Sequence, residues 1–193
     1  MGHYTNTPED NLLGITNQAL LNEAEAQGFA FAELRFAEVE YPLHISAGLL
    51  LDFHRDALAQ LYDWAGQWRR TNPNVGAFLP PPYPQISSLI AQFTEELNHR
   101  LQRPTTDATE IARLLAWAHH RLVWIHPFTN GNGRMARLLT NLLAYSFGYG
   151  PVELYQRTTS DARARYLQAI RAADAFDLLP LEALIRPQLR PLA

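Results

Sequence analysis

Residues 126–137 read His-Pro-Phe-Thr-Asn-Gly-Asn-Gly-Arg-Met-Ala-Arg. Gly131, Asn132 and Gly133 run straight into a helical pattern. Glycine on both sides of the asparagine lets successive backbone N–H groups converge beside the positive end of the helix dipole, which makes a phosphate cradle. Arg134 and Arg137 are three apart, so two planar guanidinium forks share the first-turn face and can reach one multi-phosphate ligand. His126 precedes the cradle on a loop stiffened by Pro127, and imidazole is the side chain whose ordinary pKa suits removal of a hydroxyl proton near neutral pH. Phe128 turns inward and anchors the loop. A base beside a phosphate cradle and two arginines describes phosphoryl or nucleotidyl transfer, in which positioning and charge neutralisation do most of the catalysis and the nucleophile comes from the other substrate. Singly, a Gly-Asn-Gly turn is most often just a turn and two helical arginines a solvated face. Their coincidence in one short segment points to a site.

Other chemistries are excluded or disfavoured by what the chain contains. It has no cysteine and no lysine, so disulfides, thiolate metal sites, thiol nucleophiles, Schiff bases and the GxxxxGK[ST] phosphate loop are absent. His119 and His120 with His126 could suggest a metal cluster, but adjacent histidines point to different sides of a helix and no HExxH spacing exists. Trp64, Trp68, Trp117 and Trp124 lie on amphipathic stretches or near a loop and read as packing rather than base-stacking platforms. Residues 1–67 hold ten acids against Arg35 and Arg55, whereas 68–193 hold 14 arginines against nine acids. An anion is therefore expected in the second part, although the net charge of −3 and the scatter of the arginines speak against nucleic acid. No window is apolar enough for a membrane span, and the N-terminus lacks a signal-peptide pattern, so the expectation is a cytoplasmic protein.

The elements that must position these residues are mostly helices. Leu20, Leu21, Ala24 and Ala26, after a Thr16 N-cap, predict a short helix ending at Gly28, and a second follows before Pro42. Ser46 caps a helix whose apolar residues recur at three- and four-residue steps as far as about Gly66. The stretch TNPNVGAFLPPPYP, with five prolines, reads as the one β-like loop. Helical period resumes from Ile86 to Leu97 and from Asp107 to Ile125, where Asp107 and Glu110 have capping-box spacing. After HPFTNG come helices over about 132–147, 160–174 and 180–186.

The segment HPFTNGNGRMAR resembles the signature HPFx[DE]GNGRxxR of the Fic family. WAGQWRRTNPNVG is similar to that family's AGxxR segment and flap, and YLQAIRAADAFD to the helix after the motif. The N-terminal LLNEAEAQGFAFAEL resembles the group called mobile mystery protein B. This resemblance implies an all-α, Fic-like helical bundle with a short β-hairpin flap. Residues 1–45 would form an N-terminal helical extension and 46–193 the catalytic core. It implies a toxin-like protein adenylyltransferase that moves AMP from ATP, with Mg²⁺, to a Ser, Thr or Tyr hydroxyl of a target protein. His126 would be the base, and the backbone of Gly131, Asn132 and Gly133 would hold the phosphates. Arg134 and Arg137 would take the outer phosphates, and Asn74, Val75 and Gly76 would pair with the target. Tyr166 and Asp174 would neighbour the adenine. Asn130 stands where the family usually has an acidic metal ligand, so the ion would be held more by ATP itself. The alternatives are a non-catalytic nucleotide-binding module and a variant with phosphotransferase chemistry. A small helix-turn-helix partner or antitoxin is also implied.

Overall fold

A computed structural model of the chain describes residues 10–74, 78–103, 105–154 and 160–192. The chain divides into two compact units, one formed by Met1–Glu95 with Ile125–Met135 and the other by Glu96–Trp124 with Ala136–Ala193. The described residues are predominantly helical: α1 (Gln18–Leu34), α2 (Ala47–Leu58), α3 (Ile86–Leu101), α4 (Ala108–Ile125), α5 (Asn132–Ser146), α6 (Ser160–Asp174) and α7 (Leu179–Ile185). An isolated antiparallel bridge joins Tyr149 and Pro191. The all-α class holds. Val75 and Gly76 of the expected hairpin lie outside the described residues.

In the first unit, Asn17 rather than Thr16 caps α1, its side-chain oxygen accepting from the N–H groups of Ala19 and Leu20. The expected break at Gly28 does not occur: α1 runs through it and ends at Leu34, followed by a 3-10 turn over Arg35–Glu38. Gly28 is there for packing, because a Cβ would collide with the carbonyl of Ala57 on α2. Leu21, Glu25, Phe29 and Ala32 form the buried stripe of α1, and Glu25 is its charged member. Ser46 caps α2 as expected, its hydroxyl accepting from Leu49 N–H at 3.0 Å. However, α2 stops at Leu58 rather than near Gly66. Leu61 and Tyr62 continue the apolar spacing in turns whose N–H groups both bond back to the Leu58 carbonyl.

In the second unit, Asp107 caps α4 by accepting from Thr109 N–H at 2.8 Å, while Glu110 accepts from the Thr105 hydroxyl instead of closing a capping box. Gly148, at φ +78°, ends α5 as expected. The apolar core here is built from residues such as Leu97, Ile111, Leu115, Leu122, Leu142 and Ile185, all essentially inaccessible to water.

Candidate active site

The loop between α4 and α5 is closed by a side chain that imitates a backbone. Asn132 is 4 % exposed, and its Oδ1 accepts from Phe128 N–H while its Nδ2 donates to the Phe128 carbonyl, both at 2.8 Å. This staples the His-Pro-Phe loop to the head of α5. Phe128 is wholly buried and stacks on the His54 ring at 3.8 Å, with Trp68 tilted against it at 5.0 Å. His54 is itself inaccessible to water. Its Nδ1 accepts from Gly66 N–H at 2.9 Å, which places the ring proton on Nε2, where it donates to the Asn130 carbonyl at 3.1 Å. Burial pushes its pKa down to about 4, so the ring stays neutral and works as a strut.

His126 sits at φ +51°. A left-handed conformation is uncommon for any residue with a Cβ, and the residue before a proline is steered toward extended backbone, so the position carries strain of about 1–3 kcal/mol. Surrounding contacts hold it there. Arg69 is 2 % exposed and donates from Nε to the His126 carbonyl at 2.6 Å, while its own N–H donates to the Pro127 carbonyl at 2.8 Å.

At the head of α5, Gly131 adopts φ +79°, and a Cβ there would press on Leu58 at 3.2 Å and Phe29 at 3.3 Å. Glycine is required for both reasons. Gly131 N–H donates to Asn130 Oδ1 at 2.6 Å, and its carbonyl accepts the helix bond from Met135. The N–H groups that follow are those a helix's first turn cannot satisfy itself, so the end of α5 suits an anion.

Arg134 lies over the Phe29 ring at 5.0 Å and donates from Nη1 to Glu25 at 2.7 Å; the two side chains are 12 % and 4 % exposed. Glu25 also accepts from the Tyr62 hydroxyl at 2.9 Å and from Asn130 Nδ2 at 3.4 Å. Position 130 does not fit a magnesium ligand. Its side-chain oxygen meets the Gly131 N–H and, at 3.5 Å, Arg134 Nη2, a donor set that attracts an anion and repels a cation. Among the described residues no group of three His, Asp or Glu could hold a metal ion.

Thus His126, Asn130, Gly131, Asn132, Gly133 and Arg134 fall in the first unit, as does Asn74, which is exposed on an irregular stretch. Arg137, Tyr166 and Asp174 belong to the second. There Tyr166 departs from expectation: it is 5 % exposed, and its hydroxyl is 2.8 Å from His119 Nε2, so it builds core rather than an open wall for a base. Asp174 pairs with His120 Nε2 at 2.8 Å and remains partly exposed. Glu25 and His54 were not anticipated as parts of the site, and Arg69, the arginine of the AGxxR segment, had no role assigned to it. Glu25 and His54 each fall on the apolar stripe of an amphipathic helix, and a polar residue at such a position is the signal that could have found them.

Fold and site together define an all-helical protein with a glycine-flanked helix head behind a histidine loop. The chain belongs to the Fic/DOC family, whose model matches residues 44–144. It is 36 % identical over 135 residues to the protein adenylyltransferase Fic of Culex quinquefasciatus, covering 68 % of this chain and 25 % of that protein. It is also 36 % identical over 137 residues to the protein adenylyltransferase fic-1 of Caenorhabditis briggsae, covering 70 % of this chain and 25 % of that one. The chain thus spans about a quarter of the length of these curated relatives. Its fold is similar to the crystal structure of the BepC protein of Bartonella tribocorum with bound AMPPNP, with a TM-score of 0.79 at 20 % identity over 99 % of this chain and 96 % of that one. It is also similar to Fic-1 of C. elegans, with a TM-score of 0.73 at 26 % identity over 92 % of this chain and 52 % of that one.

Proposed function

We propose that the chain is a protein adenylyltransferase that moves AMP from ATP onto a Ser, Thr or Tyr hydroxyl of a target protein. The observation that most supports this is the strained His126 loop stapled by Asn132 to the glycine-flanked head of α5. In this reading His126 takes the proton of the target hydroxyl and the oxygen attacks the α-phosphorus. The bond from that phosphorus to the α,β-bridging oxygen breaks, and pyrophosphate leaves. The backbone of Gly131, Asn132 and Gly133 holds the phosphates. Arg137 neutralises charge on the outer ones, and Arg134 joins it where Glu25 shares or releases its guanidinium. Asn74, with Val75 and Gly76, aligns a target backbone edge-on, and Asp174 is the polar neighbour offered to the adenine. Magnesium belongs to this reading only as the counter-ion of the triphosphate, and no step is assigned to it.

Residues 46–193 are the catalytic core in this proposal, and 1–45 a helical extension that reaches the site through Glu25. A cytoplasmic, toxin-like role with a small helix-turn-helix partner or antitoxin goes with it, supported by the N-terminal resemblance. No helix among the described residues is long and apolar enough to cross a membrane.

The second reading, a nucleotide-binding module without turnover, is favoured by the pairing of Arg134 with Glu25. Incubation with candidate targets and ATP labelled at the α or the γ position separates the possibilities. Adenylylation leaves α label on protein and none from γ, and His126→Ala abolishes it. Label from γ alone marks a phosphotransferase. Absence of both, with ATP binding retained in calorimetry, leaves the module.

A further inference from the structure

The guanidinium of Arg69 has more duties than holding one carbonyl. Nε donates to the His126 carbonyl at 2.6 Å and Nη2 reaches the Ile125 carbonyl at 3.4 Å, while the backbone N–H of Arg69 takes the Pro127 carbonyl at 2.8 Å. Three consecutive carbonyls around His126 thus bond to a single residue. The remaining donors face elsewhere: Nη1 bonds the Thr71 carbonyl at 2.8 Å and Nη2 the Pro81 carbonyl at 2.5 Å. Thr71 opens the proline-rich stretch and Pro81 lies near its far end, so their carbonyls, meeting on one guanidinium, form a stem.

No carboxylate among the described residues pairs with Arg69, so the charge of a 2 % exposed side chain is balanced by carbonyl dipoles. Burial of that kind is costly, and desolvation lowers its pKa. A planar fork of five donors in fixed directions can serve carbonyls on several sides at once, whereas a lysine ammonium cannot span them. The stem has a second closure that does not involve His126, because Asn72 Oδ1 accepts from Tyr83 N–H at 2.8 Å on the exposed side.

We propose that Arg69 is a positioning residue that couples the Thr71–Pro81 stem to the backbone of His126, so that a target segment held beside the stem meets the imidazole in fixed register. The inference rests on the transferase reading given above. It adds that the strained base and the stem at Thr71 and Pro81 are one mechanical piece. The coupling runs through the guanidinium, and Asn72 closes the stem without it.

Native-state hydrogen exchange of the whole chain in low urea tests the coupling without any need for activity. The amides of Tyr83 and Phe128 are expected to open in one step with the same urea dependence, and in Arg69→Lys both are expected to exchange faster together. Independent opening of the two amides in the wild-type chain overturns the proposal even if Arg69→Lys fails to fold. Where it folds, Arg69→Lys is expected to lower kcat for target modification by about a hundredfold, as misplacement of a reacting group does, with ATP affinity kept within about twofold. Asn72→Ala is expected to raise KM for the target with kcat unchanged, because Arg69 still holds the His126 carbonyl. An equal loss of ATP affinity and kcat in Arg69→Lys would show a merely structural role and refute the assignment. A wild-type chain that modifies no target refutes the transferase reading, and the exchange of Tyr83 and Phe128 still decides whether the two segments are tied.

Discussion

At the scale of single residues, the site depends on a carboxylate contributed from outside the motif. Glu25 gathers a phenol, an amide and a guanidinium around two nearly inaccessible oxygens. Asn130 suits that company better than an acid would: its Nδ2 donates toward Glu25 while its Oδ1 accepts from Gly131 N–H. A carboxylate there would face Glu25 with like charge. Breaking a buried pair from one side leaves the other charge uncompensated, so Glu25→Gln and Arg134→Gln are each expected to lose about 3 kcal/mol of stability. The double variant is expected to lose less than the sum by at least about 1 kcal/mol, because the second change removes the stranded charge. Urea unfolding of the four proteins closes the cycle. Strict additivity would mean that the pair is solvated in solution.

At the scale of elements, two glycines in neighbouring helices should respond oppositely to the same change. Gly28 of α1 lies where the Ala57 carbonyl approaches, whereas a Cβ on Gly48 of α2 meets only the Ser46 hydroxyl, at 3.6 Å. Gly28→Ala is therefore expected to destabilise by about 1–3 kcal/mol through overpacking, despite alanine's better helix propensity. Gly48→Ala is expected to stabilise by about 0.5–1 kcal/mol. Thermal unfolding of both variants checks the pair. The contrast also explains what could be read in advance. The caps at Ser46 and Asp107 and the stop at Gly148 are local chemistry, visible in a few consecutive residues. Gly28 reads as a stop because its reason is 29 residues away in sequence. The overlong reading of α2 has a similar origin, since Leu61 and Tyr62 keep the apolar spacing after the backbone has turned. The motif residues were legible because their chemistry is carried by adjacent positions. The roles of Glu25, His54 and Arg69 were not, since a buried polar side chain declares its purpose only through partners from distant segments.

At the scale of the whole molecule, each compact unit holds one buried histidine among its described residues, and acid is expected to destabilise both units. His54 belongs to the first unit and His119 to the second. Thr140 donates its hydroxyl to the Ala136 carbonyl at 2.7 Å, so His119 Nδ1 carries the proton given to Thr140 Oγ1 at 3.0 Å, and Nε2 accepts from Tyr166. A second ring proton would oppose the Tyr166 hydroxyl. Burial drives the pKa of His119 to about 3, with Arg137 adding to the shift, and that of His54 to about 4. Both folded values lie below the ordinary 6.5 of the unfolded chain. As pH falls through 6.5, the unfolded chain binds a proton at each site while the folded chain binds neither, so stability drops with falling pH until the folded rings titrate near 4 and 3. At pH 5 the loss is about 2 kcal/mol for each histidine relative to neutral pH. Replacing His119 by Gln removes one titrating group, so the variant, though less stable at pH 7, is expected to show a shallower decline between pH 6.5 and 4.5, by up to about 1.4 kcal/mol per pH unit. Urea midpoints across that range measure the slope, and parallel curves for the two proteins would mean that His119 takes up its proton equally in the folded and unfolded chains.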